Sequence, residues 1–155
     1  MKVYSDTSTL GGCFDEEFSE WSNALLEEFR IGKKLLVLSD LTLQELEPAP
    51  QEVKDKLAEV PGKYQIAIGM TDEAFQLAET YINEGALTMK SFNDALHIAL
   101  ATIYNADVLA SWNFKHIVNL SRIRLYNSVN LKLGYKMIEI RTPREILEML
   151  NNGEE

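Results

Sequence analysis

Residues 3–9 read VYSDTST, and the place of Asp6 in that stretch decides how the chain is understood. Val3 and Tyr4 lie in a short run, KVYS, with the character of a buried strand. Asp6 follows it directly, ahead of the small hydroxyl residues Thr7, Ser8 and Thr9. Asp, Ser and Thr side chains accept bonds from the free N–H groups of a helix start, so one reading makes Asp6 or a neighbour a cap. The other makes Asp6 a functional acid, because a carboxylate that ends a buried strand loses its hydration unless it is paired or bound to a metal.

Outward from this stretch the chain alternates between strand-like and helix-like patterns, with no internal repeat, low-complexity segment or long linker. DEEFSEWSNALLEEFRIG sets Phe18, Trp21, Leu25 and Phe29 at helical spacing and ends in Gly32, a residue suited to the position just past a helix. KLLVLS is a continuous apolar run of the kind covered on both faces of a sheet. TLQELEP is a brief helix stopped by Pro48 and Pro50, and QEVKDKLAEV is another, with Val53, Leu57 and Val60 on one side. YQIAIG makes a third strand. A helix from Thr71 to Glu84 follows, with Phe75, Ala78 and Ile82 facing inward and Gly85 closing it; Trp21, Phe29 and Phe75 are all expected in the core. SFNDALHIALATIY is the most regular helix, ADVLAS a fourth strand, NLSRIRLYNSVNLKLG a basic helix ending at Gly134, and MIEI a last strand. TPREILEML opens with Thr142 as N-cap, Pro143 in the first turn and Glu145 three residues after the cap. This alternation predicts one α/β domain over residues 1–155, a three-layer α/β/α sandwich with a central parallel sheet of four to five strands.

In such sheets ligands gather beyond the carboxyl ends of the strands, where the strand order reverses. Asp6 follows the first strand, Glu45 lies one turn into the helix after the second, and Asn113 follows the fourth in VLASWNF. Asp94 sits in the first turn of its helix, where the macrodipole favours an anion. Each has a structural alternative: Thr42 and Glu45 fit a capping box, and Ser91 and Asp94 a looser one. His97, one turn after Asp94 on an apolar helix, is expected to be a hydrogen-bonded core histidine. His116 is balanced between a phosphate contact and local loop bonding.

The 155 residues suffice for one core without disulfides, and Cys13, the single cysteine, suits a reducing, cytoplasmic compartment. No export signal or membrane-spanning run is evident. The net charge of −9 argues against a nucleic-acid partner until its distribution is considered. Residues 1–80 hold 7 Lys and Arg against 16 Asp and Glu, residues 81–155 hold 8 against 8, and residues 110–144 alone carry +6. A local basic face of that kind can bind phosphates on an acidic molecule.

The strings VYSDTSTLGG, SDLTLQEL, FNDALHIALA and ADVLASWNFKHIVN, in order over residues 3–119, together with the closing IEIRTPREIL, resemble the PIN domain, the metal-dependent ribonuclease fold of VapC-type toxins and their relatives. The resemblance implies that Asp6, Glu45 and Asp94 hold Mg²⁺ or Mn²⁺, with Ser8 and Ser111 lining the site. It implies an RNA substrate, a homodimer, and a small antitoxin protein as partner. Asn113 stands where many members of the family place Asp, a neutral group that can offer a carbonyl oxygen or position a water. Lys115, His116, Arg122 and Arg124 follow the fourth strand and are expected to contact the RNA backbone. Two alternatives stand beside this reading: a catalytically weakened PIN-like domain that binds RNA or protein, and an Asp-dependent phosphatase, for which Ser8 replaces the expected second acid.

Overall fold

The computed structural model describes residues 1–153; Glu154 and Glu155, counted in the charge of the second half, lie outside the described residues. The chain runs β1 (Lys2–Ser5), α1 (Thr7–Gly11), α2 (Ser19–Arg30), β2 (Leu35–Ser39), α3 (Asp40–Leu46), α4 (Gln51–Ala58), β3 (Gln65–Ile68), α5 (Asp72–Asn83), α6 (Phe92–Ile103), β4 (Val108–Ala110), α7 (Leu120–Lys132), β5 (Ile140–Arg141) and α8 (Pro143–Gly153). The five strands form one sheet in the order β3-β2-β1-β4-β5, parallel throughout.

Strand alternation divides the core in two, because successive side chains leave opposite faces of a sheet. Val3, Leu36, Leu38, Val108 and Ala110 face one side and pack with Leu10, Leu25, Phe29, Val53 and Ile146. Tyr4, Val37, Leu109 and Ile140 face the other, against Leu77, Tyr81, Leu96, Leu100, Tyr126 and Val129. Both faces are covered, which is why β1, β2 and β4 are apolar without a polar interval. The chain moves from β1 out to β3 with its helices on the first face, then returns past β1 to β4 and β5 with α5, α6 and α7 on the second. The order therefore reverses between β1 and β4.

The elements follow the expected order, with local differences. α2 begins at Ser19 rather than Asp15, and Phe18 is its cap residue. The last strand is the two-residue Ile140–Arg141 instead of MIEI. Phe75, expected in the core, is 39% exposed and stacks on Phe92 with ring centroids 5.9 Å apart. The inward row of α5 is Ala74, Leu77, Ala78 and Tyr81, at the i, i+3, i+4, i+7 spacing of a helix face, which leaves Phe75 on the flank. Trp21, also expected in the core, is half-buried, because its ring lies under the Arg144 guanidinium at the protein surface. Thr142 and Glu145 form the expected capping box: Thr142 N donates to Glu145 Oε1 at 3.0 Å and Glu145 N to Thr142 Oγ1 at 3.1 Å.

Two glycines are fixed by their surroundings. Gly32 has φ +80° and lies against the Tyr64 ring, so a side chain there would be both strained and blocked. Gly12 has ordinary backbone angles, but a Cβ would stand 2.6 Å from Ser22 Oγ and 2.8 Å from Trp112 Nε1. Those two atoms bond each other at 2.8 Å. Gly12→Ala is therefore expected to destabilise the protein by ~1–3 kcal/mol, the usual range for overpacking, with a shift in tryptophan emission; thermal melting and the fluorescence spectrum check both.

Candidate active site

Asp6 is the cap considered for it, and its carboxylate is paired with hydroxyl donors as well. Its Oδ1 accepts from Thr9 N at 3.2 Å, which caps α1, and from the Ser8 hydroxyl at 2.7 Å. Its Oδ2 accepts from the Ser111 hydroxyl at 2.6 Å, across the gap between β1 and β4. At 4% exposure the carboxylate has lost most of its water, and these donors replace it. The two hydroxyls are in turn held by β4's trailing backbone: Ser8 Oγ accepts from Trp112 N at 2.9 Å and Ser111 Oγ from Asn113 N at 2.9 Å. Ser8 and Ser111 thus fix the orientation of Asp6.

Glu45 comes from α3, whose cap is Ser39 rather than Thr42: Ser39 Oγ accepts from Thr42 N at 3.1 Å. The capping box expected between Thr42 and Glu45 does not form, because the helix begins three residues earlier, and the Glu45 side chain is turned toward the sheet edge. Its Oε1 accepts from the Thr7 hydroxyl at 2.7 Å and meets His97 Nε2 at 2.5 Å. His97 is 2% exposed, and its Nδ1 lies 2.7 Å from the Tyr4 hydroxyl, which also meets Ser39 Oγ at 2.7 Å. A carboxylate only accepts, so His97 Nε2–H donates to Glu45, and Nδ1 closes a chain with the Tyr4 and Ser39 hydroxyls. Burial holds the Tyr4 phenol protonated by raising its pKa well above the ordinary value. Burial also pushes the Glu45 carboxyl upward, but the bonds and charge of His97 and the bond from Thr7 outweigh it, so Glu45 ends below the usual carboxylate range. His97 is the bonded core histidine expected, with an added consequence: it anchors Glu45.

Asp94 is the third residue of α6, and the Ser91 side chain makes no cap bond there. Burial raises its carboxyl above the usual range; the imidazoles of His116 and His97 oppose that rise, and the charges of Asp6 and Glu45 add to it. Asp6, Glu45 and Asp94, from three separate segments, therefore share one electrostatic neighbourhood at the C-terminal edge of the sheet. Among the described residues, no group of three or more His, Cys, Asp or Glu is spaced to hold one metal ion by direct contact. In the apo protein the raised pKa of Asp94 means that its stabilising contribution is present below the unfolded value near 3.9 and lost as pH rises through the folded value. Asp94→Asn is accordingly expected to raise the metal-free melting temperature by about 2–5 °C at pH 7 and to give no gain at pH 3; melting curves at the two pH values check this.

Asn113 behaves as a loop organiser. Its Oδ1 accepts from His116 N at 3.0 Å, and its Nδ2 approaches Asp94 Oδ1 at 3.4 Å. His116 carries the local bonding considered for it: its backbone N meets Asn113, and its carbonyl accepts from the Tyr126 hydroxyl at 2.5 Å. Its Nδ1 is buried with no bonding partner. Of the basic residues, Arg122 donates from Nη1 to Ala86 O at 2.6 Å, while Lys115 and Arg124 are exposed. Part of the +6 is offset by acids outside the stretch, since Lys132 pairs with Glu84 and Arg144 with Glu148; the pair of Arg141 with Glu139 is already within that sum.

Thr7, Tyr4 and Trp112 are parts of this site that the sequence did not mark out. The hydroxyl run after Asp6 and the spacing of Asp94 and His97 on one helix face carried the available signal; the partners themselves come from other strands.

With this geometry in view, the chain is similar to a solved chain of VapBC2 from Rickettsia felis, a structure bound to a DNA fragment from their promoter. The match has a TM-score of 0.59 at 14% identity and covers 92% of this chain and 98% of that one. The fold is PIN-like. No family model matches the chain, and no curated protein matches it. Among the described residues, no helix is long and apolar enough to cross a membrane.

Proposed function

We propose that the protein is a PIN-type ribonuclease that hydrolyses RNA phosphodiester bonds with the help of Mg²⁺ or Mn²⁺. The observation that carries this is the bonding that links Asp6 through Ser111 and Asn113 to Asp94, with Glu45 held by Thr7, the residue next to Asp6, all beside the reversal of strand order. The donor set is oxygen-rich and contains no thiolate, Cys13 being buried in the core on one face of the sheet, which suits a hard divalent cation. Mg²⁺ keeps several of its waters and needs only one or two carboxylates, so a direct three-carboxylate cage is not required. A bound cation would supply charge neutralisation and activation of water at neutral pH.

The chain's own residues do the rest. Ser8, Thr9 and Ser111 hold Asp6 in one orientation. His97 and Thr7 both bond Glu45 Oε1, which leaves Oε2 as the oxygen that would accept a proton from an attacking water. Asn113 supplies an amide donor toward Asp94 where an additional acid would supply charge. That difference favours a second reading, a PIN-like domain that binds RNA or protein with little or no cleavage. A phosphatase would need an acid at Ser8, whose hydroxyl instead donates to Asp6. The likeness to VapBC2 supports an antitoxin-type protein as partner, and we include a homodimer in the proposal.

The test is cleavage of a mixed RNA pool during titration with Mg²⁺ or Mn²⁺, with turnover of small phosphate esters measured in parallel. Metal-dependent cuts that disappear in Asp6→Asn support the nuclease. RNA binding without cuts in any metal supports the second reading, and ester turnover without RNA cleavage supports the phosphatase.

A further inference from the structure

Each of the three carboxylates has an oxygen committed to the protein. Asp6 Oδ1 accepts from the Ser8 hydroxyl at 2.7 Å and from Thr9 N at 3.2 Å, while Oδ2 accepts from the Ser111 hydroxyl at 2.6 Å. Glu45 Oε1 takes the Thr7 hydroxyl at 2.7 Å and His97 Nε2 at 2.5 Å. Asp94 Oδ1 meets Asn113 Nδ2 at 3.4 Å. A carboxylate oxygen offers two lone pairs, so Asp6 Oδ1 and Glu45 Oε1 are filled. The bonds leave Asp6 Oδ2, Glu45 Oε2 and Asp94 Oδ2 for a cation. A carboxylate that gave one oxygen to each of two ions would have to surrender those bonds.

The orientation of the Asn113 amide is settled by its neighbours. His116 N only donates, so the atom facing it at 3.0 Å is the amide oxygen, and the amide nitrogen is the atom turned to Asp94. The backbone holds it there: Asn113 N donates to Ser111 Oγ at 2.9 Å, and Asn113 O accepts from Val118 N at 2.8 Å and Ile117 N at 3.1 Å. An amide nitrogen has no lone pair to give a metal, and its hydrogens carry partial positive charge.

We infer that the site takes a single divalent cation and that Asn113 keeps a second one out, by presenting N–H to Asp94 where a carboxylate would present an oxygen; this rests on the metal-dependent ribonuclease reading and adds the number of ions. Charge acts in the same direction. Asp6, Glu45 and Asp94 outweigh one divalent ion, but two such ions would exceed them, and the neutral Asn113 supplies nothing to restore the balance. Among the described residues, no three of His, Cys, Asp or Glu are spaced to grip an ion directly, which suits one hydrated cation and not the pair about 3.5–4 Å apart of a two-metal site. Asn113 is in this sense a positioning residue, acting through Asp94.

The test counts ions without RNA. The full-length protein, stripped of metal, is titrated with Mn²⁺ alone and followed by calorimetry and electron paramagnetic resonance. The wild type is expected to bind one Mn²⁺ per chain, with the hyperfine-split spectrum of an isolated ion. Asn113→Asp keeps the oxygen that His116 N bonds and turns a second oxygen toward Asp94. It is expected to bind two Mn²⁺ per chain, the second at least about ten-fold more tightly than the wild type binds any second ion, with a spectrum broadened by coupling between neighbouring ions. Asn113→Ala removes the amide and adds no ligand, so it is expected to stay at one. Two tightly bound ions in the wild type overturn the single-ion site. A folded Asn113→Asp that binds only one ion, or an Asn113→Ala that binds two, removes Asn113 as the cause and overturns it as well; should Asn113→Asp not fold, the wild-type and Asn113→Ala counts decide. The nuclease reading fails separately: it falls if no metal supports RNA cleavage by the wild type, whatever the ion count.

Discussion

Asp6→Asn is expected to leave a folded protein whose metal-dependent RNA cleavage has fallen on the order of 10²–10³-fold, the loss typical when one preorganised electrostatic group is removed from an active site. The substitution is isosteric. The amide oxygen can still accept from Thr9 N and from the Ser8 hydroxyl, so the cap of α1 survives. On the other side the new NH₂ faces Ser111, whose hydroxyl must turn from donating to accepting. That change should cost about 1 kcal/mol, the scale of one hydrogen bond. The negative charge is what disappears, and with it the attraction for a divalent cation. Initial cleavage rates at saturating Mn²⁺, read beside thermal melts, separate the two effects. Undiminished cleavage by this variant would remove Asp6 from the chemistry and with it the nuclease proposal.

His97→Ala should have the largest effect on stability. The imidazole is buried in the middle of α6 and satisfies the Tyr4 hydroxyl on one side and the Glu45 carboxylate on the other. Its removal leaves a cavity and two groups without their partner, which together should cost about 3 kcal/mol. That is a large share of the roughly 5–15 kcal/mol of a typical domain. The pH dependence follows from Glu45. Its carboxyl is lowered in the folded protein, so its stabilisation is present above the unfolded value near 4.3 and lost as pH falls through the folded value. The part of the His97→Ala defect that comes through Glu45 should therefore be seen at pH 7 and fade below about pH 4. Urea unfolding at the two pH values measures it; equal stability of variant and wild type at pH 7 would show that His97 does not anchor Glu45.

The same bonds explain how far the sequence could be followed. KVYS, KLLVLS and ADVLAS announce buried strands because both faces of a parallel sheet are covered, and Gly32, Gly85 and Gly134, all at φ between +80° and +86°, mark helix ends because only glycine adopts that backbone without strain. Phe75 and Trp21 were harder. Helical spacing places an aromatic within about a quarter turn of the core, and whether it is enclosed depends on what packs beside it. Thr42 and Glu45 matched a capping spacing that the helix ignored, because Ser39, at the very end of β2, had already taken the cap.

Sequence by itself determined the parallel α/β sandwich, the order of its elements, and the four polar positions Asp6, Glu45, Asp94 and Asn113 near one edge of the sheet. Those features follow from local periodicity and from the rule that strand ends share an edge. Tertiary structure alone decided the partners: Ser111 on Asp6, Tyr4 and His97 behind Glu45, Asn113 turned toward His116, and Trp112 stacked on Phe18. Residues as far apart as Asp6 and Ser111 meet only because β4 returns to lie beside β1, and a hydrogen bond depends on ångström placement that no spacing within a single segment encodes.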